Sequence, residues 1–244
     1  MHAETAARLI DLNRQFYQTF ALQFSATRQR LQPGVRRVLD SLPAKANLLD
    51  LGCGNGELAH ELLRRAYPGS YLGLDFSQEL LEQASARLGA DKPAEFQLKQ
   101  ADLTSPGWDE GLADYQAEVI LAFAVLHHIP GAEARRELVR KIHQLLPPGG
   151  QFIFSVWQFL NSPRLAQRIQ PWEAAGLPAS DVDEGDYLLD WRQGGHGLRY
   201  VHHFDPPELA ALAQETGFCI QQTFLSDGEN GKLGMYQVWT LCYY

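Results

Sequence analysis

Asp50-Leu51-Gly52-Cys53-Gly54-Asn55-Gly56 constrains this chain more than any other stretch. It closes the short apolar run Asn47–Leu51 and opens a helix-patterned segment from Glu57 to Ala66, with Leu58, Leu62 and Leu63 on one face. A buried strand that turns through glycines into a helix is the first unit of an open α/β sheet. Three alternate glycines let the backbone turn sharply and leave space where side chains would block a ligand. The first amides of the helix face that loop. The third glycine comes one residue earlier than in the dinucleotide fingerprint G-x-G-x-x-G, and no Gly-Lys-Ser/Thr follows. No Lys or Arg stands in the loop, so a ligand without phosphates is expected.

The rhythm continues beyond the loop. Ser70 to Leu74 predicts a second strand, and Ser77 caps a helix over Gln78 to Leu88. Ala94 to Leu98 and Ala117 to Phe123 predict strands three and four. Glu133 to Leu146 predicts a helix stopped by Pro147-Pro148-Gly149-Gly150, and Gln151 to Trp157 a fifth strand. Pro206 to Thr216 returns to helix. The apolar runs Phe218–Leu225 and Met235–Leu241 flank the turn signal Asp227-Gly228-Glu229-Asn230-Gly231, which predicts an antiparallel pair. Ahead of the sheet, Leu9, Leu12, Phe16 and Phe20 mark one face of a helix from Ala3 to Phe24. Val35, Val38, Leu39 and Leu42 fit a second short helix after Pro33-Gly34. Residues 158–198 break the pattern with Pro163, Pro171, Pro178 and an acidic cluster at Asp181, Asp183, Glu184 and Asp186.

The chemistry-bearing residues fall at carboxyl ends of strands, where open α/β sheets bind ligands. Asp75, followed by Phe76, stands 19 residues after Gly56 and can accept from both hydroxyls of a ribose. Asp102, between Ala101 and Leu103, can accept from an adenine amino group. Ala122 and Phe123 end the fourth strand.

This combination resembles the class I S-adenosylmethionine-dependent methyltransferases. The resemblance spans Leu48 to Trp157, and the final helix and hairpin fit that fold's closing antiparallel strand. It implies S-adenosylmethionine as cofactor, S-adenosylhomocysteine as product, the glycine loop (Asp50 to Gly56, Cys53 and Asn55 included) against the methionine part, and Asp75 on the ribose. A narrower resemblance is to the tRNA wobble-uridine carboxymethyl methyltransferases. It rests on Phe16-Tyr17-Gln18-Thr19-Phe20-Ala21-Leu22-Gln23-Phe24-Ser25-Ala26-Thr27-Arg28, on Ala124-Val125-Leu126-His127-His128, and on Asp190-Trp191 followed by Arg199-Tyr200-Val201-His202-His203-Phe204. Tyr17 and Arg28 in that leader join the cofactor set. Where that family follows its leader arginine with an aromatic, a base and Pro-Trp-Pro, this chain has Gln29-Arg30-Leu31-Gln32-Pro33. Met235-Tyr236-Gln237-Val238-Trp239 departs from the family's usual ending as well. The loss of both aromatics points to a branch with a changed acceptor.

Acceptor-binding candidates are Arg28, Arg30, His127, Trp157, Trp191, Arg199, Tyr200 and His202, with His127 the candidate catalytic group. Arg199 is expected to clamp an anion or to pair with the acidic insertion. Cys53 is expected as a small buried hydrophobe. No third ligand is spaced near His127 and His128, so no metal site is expected.

Composition narrows the partners. The net charge is −8, which speaks against a whole-surface nucleic-acid binder. The cysteines Cys53, Cys219 and Cys242 are far apart in sequence and predict no disulfide framework. The longest apolar run, Val119 to Leu126, is too short for a membrane span, and the first residues carry no signal pattern, so a soluble, cytoplasmic protein is expected.

The expected architecture is one Rossmann-like α/β domain with a seven-stranded, mostly parallel sheet and a C-terminal antiparallel hairpin. Residues 1–46 form a helical lid, of which Ala3 to Pro33 is expected to be mobile without ligand and ordered with it. Residues 47–157 form the cofactor-binding core, 158–198 an insertion over the acceptor site, and 199–244 the closing helix and hairpin. The expected reaction is methyl transfer by in-line displacement to a small anionic carboxylate acceptor. The alternative acceptor is a modified wobble uridine of tRNA, with a small activating subunit. A dinucleotide-binding oxidoreductase and a non-catalytic cofactor-binding protein are the alternatives from other classes.

Overall fold

The backbone is decided by where apolar side chains cannot face water. In the computed structural model, which describes residues 1–26 and 30–242, the runs β1 (Asn47–Leu51), β2 (Ser70–Asp75), β3 (Phe96–Gln100), β4 (Val119–Phe123) and β5 (Gln151–Trp157) align in parallel. Their side chains are buried on both faces in β1, β2 and β4, as a sheet covered by helices requires. Two further strands, β9 (Phe218–Ser226) and β10 (Gly234–Leu241), complete the sheet in the order β3-β2-β1-β4-β5-β10-β9, with β10 antiparallel to β5. The covering helices are α3 (Glu57–Arg64), α4 (Gln78–Leu88), α5 (Ala132–Leu145) and α7 (Pro206–Glu215). Ser77 caps α4 by accepting from the Leu80 amide, and the Asp205 side chain accepts from the Glu208 amide ahead of α7. The chain steps outward from β1 to β2 to β3 and then returns to the other side of β1, so the strand order reverses between β1 and β4. That switch point opens a crevice at the carboxyl ends of β1, β2 and β4.

Two helices precede the sheet, α1 (Ala3–Ala26) and α2 (Pro33–Ser41), the second starting on Pro33 as a first-turn proline should. Gly34 of α2 meets the Tyr236 ring of β10, where a Cβ would stand 2.2 Å from it. The Gly34 amide donates to the Asp227 carboxylate at 2.9 Å. A short helix, α6 (Pro163–Ala166), leads into a second, antiparallel sheet of β6 (Ile169–Gln170), β7 (Asp186–Trp191) and β8 (Gly197–His202). The expected boundary between 198 and 199 therefore falls inside a hairpin, because β8 pairs with β7 and not with the main sheet. Leu9 of α1 packs with Trp172, Leu177, Leu188 and Tyr200, and Phe16, Tyr17 and Phe20 pack with Trp191. The leader helix and the second sheet thus share a core. α1 departs from helical geometry at Phe20.

The cysteine expectation is corrected. Cys219 and Cys242 form a disulfide, with Cα atoms 5.3 Å apart. They lie 23 residues apart in the chain, and the β9–β10 register, in which Cys219 faces Thr240, carries them together. Cys53 is free and buried. No helix among the described residues is long and apolar enough to cross a membrane.

Candidate active site

At the switch point lies a cavity of about 240 Å³. Its floor is the glycine loop, with Asp50, Gly52, Cys53, Gly54 and Asn55. One wall is Asp75, Phe76, Ala101, Asp102 and Leu103. The opposite wall is Phe123, Ala124, Val125 and His128, and α1 closes it with Ile10, Asn13, Arg14 and Tyr17.

The three loop glycines all have positive φ, but for different reasons. A Cβ on Gly52 would stand 2.6 Å from the Val125 Cγ2, and one on Gly56 2.7 Å from the Ala84 Cβ. These two glycines let elements of the protein approach one another. Gly54 alone faces open space, with nothing within 4 Å of where its Cβ would be. Only Gly54 leaves room for a ligand, which narrows the expectation drawn from the three glycines together. Opposite, Ala124 takes φ +59, a left-handed conformation that strains a non-glycine residue at the end of β4. Its amide donates to the Ser155 hydroxyl at 3.0 Å.

The carboxylates are occupied, Asp50 and Asp75 buried and Asp102 and Glu57 partly buried. The Asp50 Oδ2 accepts from the Tyr71 hydroxyl at 2.6 Å. Burial pushes Asp50 up to about 7, with the Tyr71 hydrogen bond opposing and the nearby Asp75 adding. Asp75 accepts from the amides of Gly54 at 2.8 Å and Ser77 at 2.9 Å. Burial pushes it up to about 6 against those hydrogen bonds. Asp102 accepts from Arg14 at 2.5 Å and from the Thr104 amide and hydroxyl at 2.9 and 2.6 Å. Burial raises its pKa, but the Thr104 and Arg14 hydrogen bonds outweigh it and hold the carboxyl low. Glu57 pairs with Arg87 at 2.6 Å.

The histidines after β4 are resolved by the turn that carries them. Leu126–His128 is a single tight helical turn. It sends His127 inward, 1% exposed, where its Nδ1 accepts from the Trp157 amide at 3.3 Å. It sends His128 to the cavity, against the Tyr17 hydroxyl at 2.8 Å and the Tyr200 carbonyl at 3.2 Å. The expected His127 does not line this cavity and His128 does.

Several other expectations are relocated. Ala122 is fully buried in the sheet core, and its neighbours Phe123 and Ala124 reach the cavity instead. Tyr200 is also fully buried and donates its hydroxyl to Asp186 at 2.6 Å. His202 is buried between Asp186 at 2.7 Å and Glu208 at 2.9 Å. Carboxylates accept and do not donate, so a carboxylate at each ring nitrogen favours the protonated ring. Burial lowers its pKa, but the hydrogen bonds to Asp186 and Glu208 prevail and raise it. Neither Tyr200 nor His202 lines this cavity: Tyr200 is bonded to Asp186 within the second sheet, and His202 joins that sheet to α7 through Glu208. Arg199 is 5% exposed. Its guanidinium sits 4.5 Å from the Trp157 ring centre, 5.4 Å from Phe16 and 5.6 Å from Trp191. Neither Trp157 nor Trp191 lines the cavity; Arg30 is exposed at its mouth. Arg28 lies outside the described residues. Asn13 and Arg14 of α1 were not anticipated from the sequence. The only signal was a polar pair beside the apolar stripe.

Residues 24–223 match the family model described as a methyltransferase domain. The chain belongs to that methyltransferase family. S-adenosylmethionine is accordingly its methyl donor. Similar proteins include the mouse tRNA (carboxymethyluridine(34)-5-O)-methyltransferase ALKBH8, 32% identical over 70% of this chain and 23% of that protein. The Arabidopsis thaliana tRNA (carboxymethyluridine(34)-5-O)-methyltransferase is 28% identical over 66% of this chain and 39% of that protein. The methyltransferase thus spans well under half the length of these two relatives. Among solved structures, the DhpI-SAM-HEP complex superposes with a TM-score of 0.65 at 18% identity, over 95% of this chain and 97% of that one. A SAM-dependent methyltransferase from Methanosarcina mazei gives 0.63 at 19% identity, over 88% and 99%. Both share the fold.

The residues present fit that donor. Gly54 leaves a cradle that any Cβ would fill, and the floor carries Asp50 and the adjoining wall Asp75, with no cation in the loop. Carboxylates whose pKa is raised by burial are relieved by a bound positive charge, and the donor carries a sulfonium and an ammonium.

Proposed function

We propose that this methyltransferase transfers the methyl group to a carboxylate oxygen of an anionic acceptor. One observation carries this reading: each titratable base lining the cavity is already engaged. Asp50 is held by Tyr71, Asp75 by two amides, Asp102 by Arg14 and Thr104, Glu57 by Arg87, and His128 by Tyr17 and the Tyr200 carbonyl. Burial, with Asp50 and Asp75 adding, also holds the Cys53 thiol well above its usual range, so it stays protonated. A phenol, amine or acidic carbon needs a base to take its proton in or near the transfer step. A carboxylate is ionised beforehand and needs none.

When bound, S-adenosylmethionine supplies a methyl group on a positively charged sulfur, already a good leaving group. The protein's part is alignment and exclusion of water. Gly54, Asp50 and Asp75 hold the donor's charged and hydroxyl-bearing ends. Phe76 and Phe123 cover its apolar surface, and α1 shuts the crevice through Tyr17. Arg30, exposed at the mouth, attracts the acceptor's negative charge. Arg28 belongs to the same role by resemblance.

The carboxylate belongs to a small molecule in the first instance, since net charge −8 gives little footprint for gripping a polyanion. A carboxymethyl group on a wobble uridine is the second reading, favoured by the names of the mouse and Arabidopsis relatives. In that case a small activating subunit would supply the missing basic surface. Incubation with methyl-labelled donor and, separately, a small-molecule extract and bulk tRNA tests both. Label that mild alkali releases as methanol marks a methyl ester. Alkali-stable label in either fraction refutes the carboxylate reading, and ester label in tRNA alone overturns the preference for a small acceptor.

A further inference from the structure

Asn13 is a polar residue, 6% exposed, in the middle of α1. Asparagine is a weak helix former, and burying a carboxamide is costly unless its hydrogen-bonding groups are used. Here they are used on two other elements. The Asn13 Oδ1 accepts from the Tyr200 amide at 2.8 Å. Its Nδ2 donates to the Tyr200 carbonyl at 3.2 Å and to the His128 carbonyl at 3.3 Å. One side chain thus satisfies both backbone groups of Tyr200 as a neighbouring strand would, and also grips the turn after β4. One helical turn later on the same face, Tyr17 reaches the His128 ring.

The Tyr200 carbonyl has a second neighbour, the His128 Nδ1 at 3.2 Å. A carbonyl only accepts, so Nδ1 carries the proton, and in the neutral ring Nε2 is then the acceptor for the Tyr17 hydroxyl. We propose that Asn13 is a positioning residue for methyl transfer. It holds the Tyr200 peptide and the His128 backbone so that His128 keeps one tautomer, and it seats α1 as the wall of the donor cavity. The proposal does not depend on which acceptor is used. It explains why an asparagine sits where helix propensity and burial both favour an apolar residue. It also assigns the closure of α1 to a definite atom set: two carbonyls and one amide, all met by one carboxamide.

Nitrogen NMR of protein labelled at histidine tests this, with the His128 signals assigned by their absence in His128→Gln. Wild-type protein should show His128 protonated at Nδ1 and bare at Nε2. Protonation at Nε2 overturns the proposal whatever any variant does. In Asn13→Ala, His128 should lose its single tautomer, and S-adenosylhomocysteine affinity should fall roughly 5- to 100-fold, the range for deleting a buried hydrogen-bond partner. Asn13→Asp keeps the acceptor for the Tyr200 amide and loses both donors, so it should show the same pair of losses if Asn13→Ala does not fold. A variant with a lowered Tm but wild-type His128 signals and affinity would make Asn13 merely structural and refute the proposal. Tyr17→Phe should retain the Nδ1–H form, because the Tyr200 carbonyl still selects it. A switch to Nε2–H in that variant would assign the tautomer to Tyr17 and overturn the role of Asn13.

Discussion

Replacing Gly54 with alanine separates ligand space from folding more cleanly than any other change in the loop. The residue sits at φ +55, and an added Cβ meets no atom within 4 Å. The stability cost is therefore backbone strain alone, about 1–2 kcal/mol for an L-residue in the left-handed region. For a chain of this size that is a fall of roughly 2–8 °C in Tm. Gly56→Ala starts from the same kind of backbone, φ +73, but its Cβ would lie 2.7 Å from the Ala84 Cβ and 3.0 Å from the Ala84 Cα. It adds a clash between α3 and α4 to the strain, so it should lose more stability than Gly54→Ala. Binding should follow a different order. The Gly54 methyl enters the space left for the donor, and forcing a methyl group into a packed contact costs about 1–3 kcal/mol, or roughly 5- to 150-fold in affinity. Titration calorimetry with S-adenosylhomocysteine, beside thermal melts of both variants, reads the two effects separately. Unchanged affinity in Gly54→Ala, or a larger loss of Tm there than in Gly56→Ala, would refute the assignment of this space to the donor.

Other expectations follow from the same geometry. Asp75→Asn keeps an acceptor for one of its amides but removes the charge, and should weaken S-adenosylmethionine binding by roughly 10- to 100-fold, the range for a charge-assisted hydrogen bond. Because Asp75 and Asp50 ionise at about 6 and about 7, affinity for the cationic donor should rise between pH 5.5 and 7.5 (about one unit around those values), more steeply than for the neutral-sulfur product. Equal pH slopes for the two ligands in calorimetry would exclude this charge coupling. His202 has a raised pKa, so its contribution to stability is complete below its ordinary value of 6.5 and is lost as pH rises through the raised one. His202→Gln should accordingly flatten the fall of Tm above pH 6.5, and identical melt profiles for the two proteins would count against the buried cation. If bulk tRNA is methylated, turnover should drop steeply with salt, and Arg36→Ala with Arg37→Ala should lower that slope by about one unit for each phosphate no longer neutralised. A flat salt response leaves the small acceptor.

The succession of elements was written in the chain itself. Strand and helix periods are local, and so are the steric demands of Pro33 at a helix start, Ser77 at a cap and glycines at a strand-to-helix turn. The predicted Gln78–Leu88 and Gln151–Trp157 coincide with α4 and β5, and the hairpin pair β9–β10 lies where the Asp227–Gly231 turn signal put it. The acids at the ends of β1 and β2 were legible for the same reason: the end of a strand is a local fact, and open α/β sheets place their crevice there. What a side chain faces is not local. Within one tight turn, His127 and His128 point to different surroundings, and only the packing of Trp157 and of α1 shows which is which. Likewise Gly52, Gly54 and Gly56 look alike in sequence. Val125 and Ala84 approach two of them across sequence gaps of 73 and 28 residues, leaving only Gly54 open. Tyr200 and His202 alternate along a strand, but the second sheet packs on α1 and joins α7, so they lie buried with Asp186 and away from the donor cavity's lining. The Cys219–Cys242 bond and the role of Asn13 depend on strand register and on contacts 187 residues apart in the chain. Such contacts arise from burying several apolar faces at once, a condition on the whole chain that no short stretch of it records.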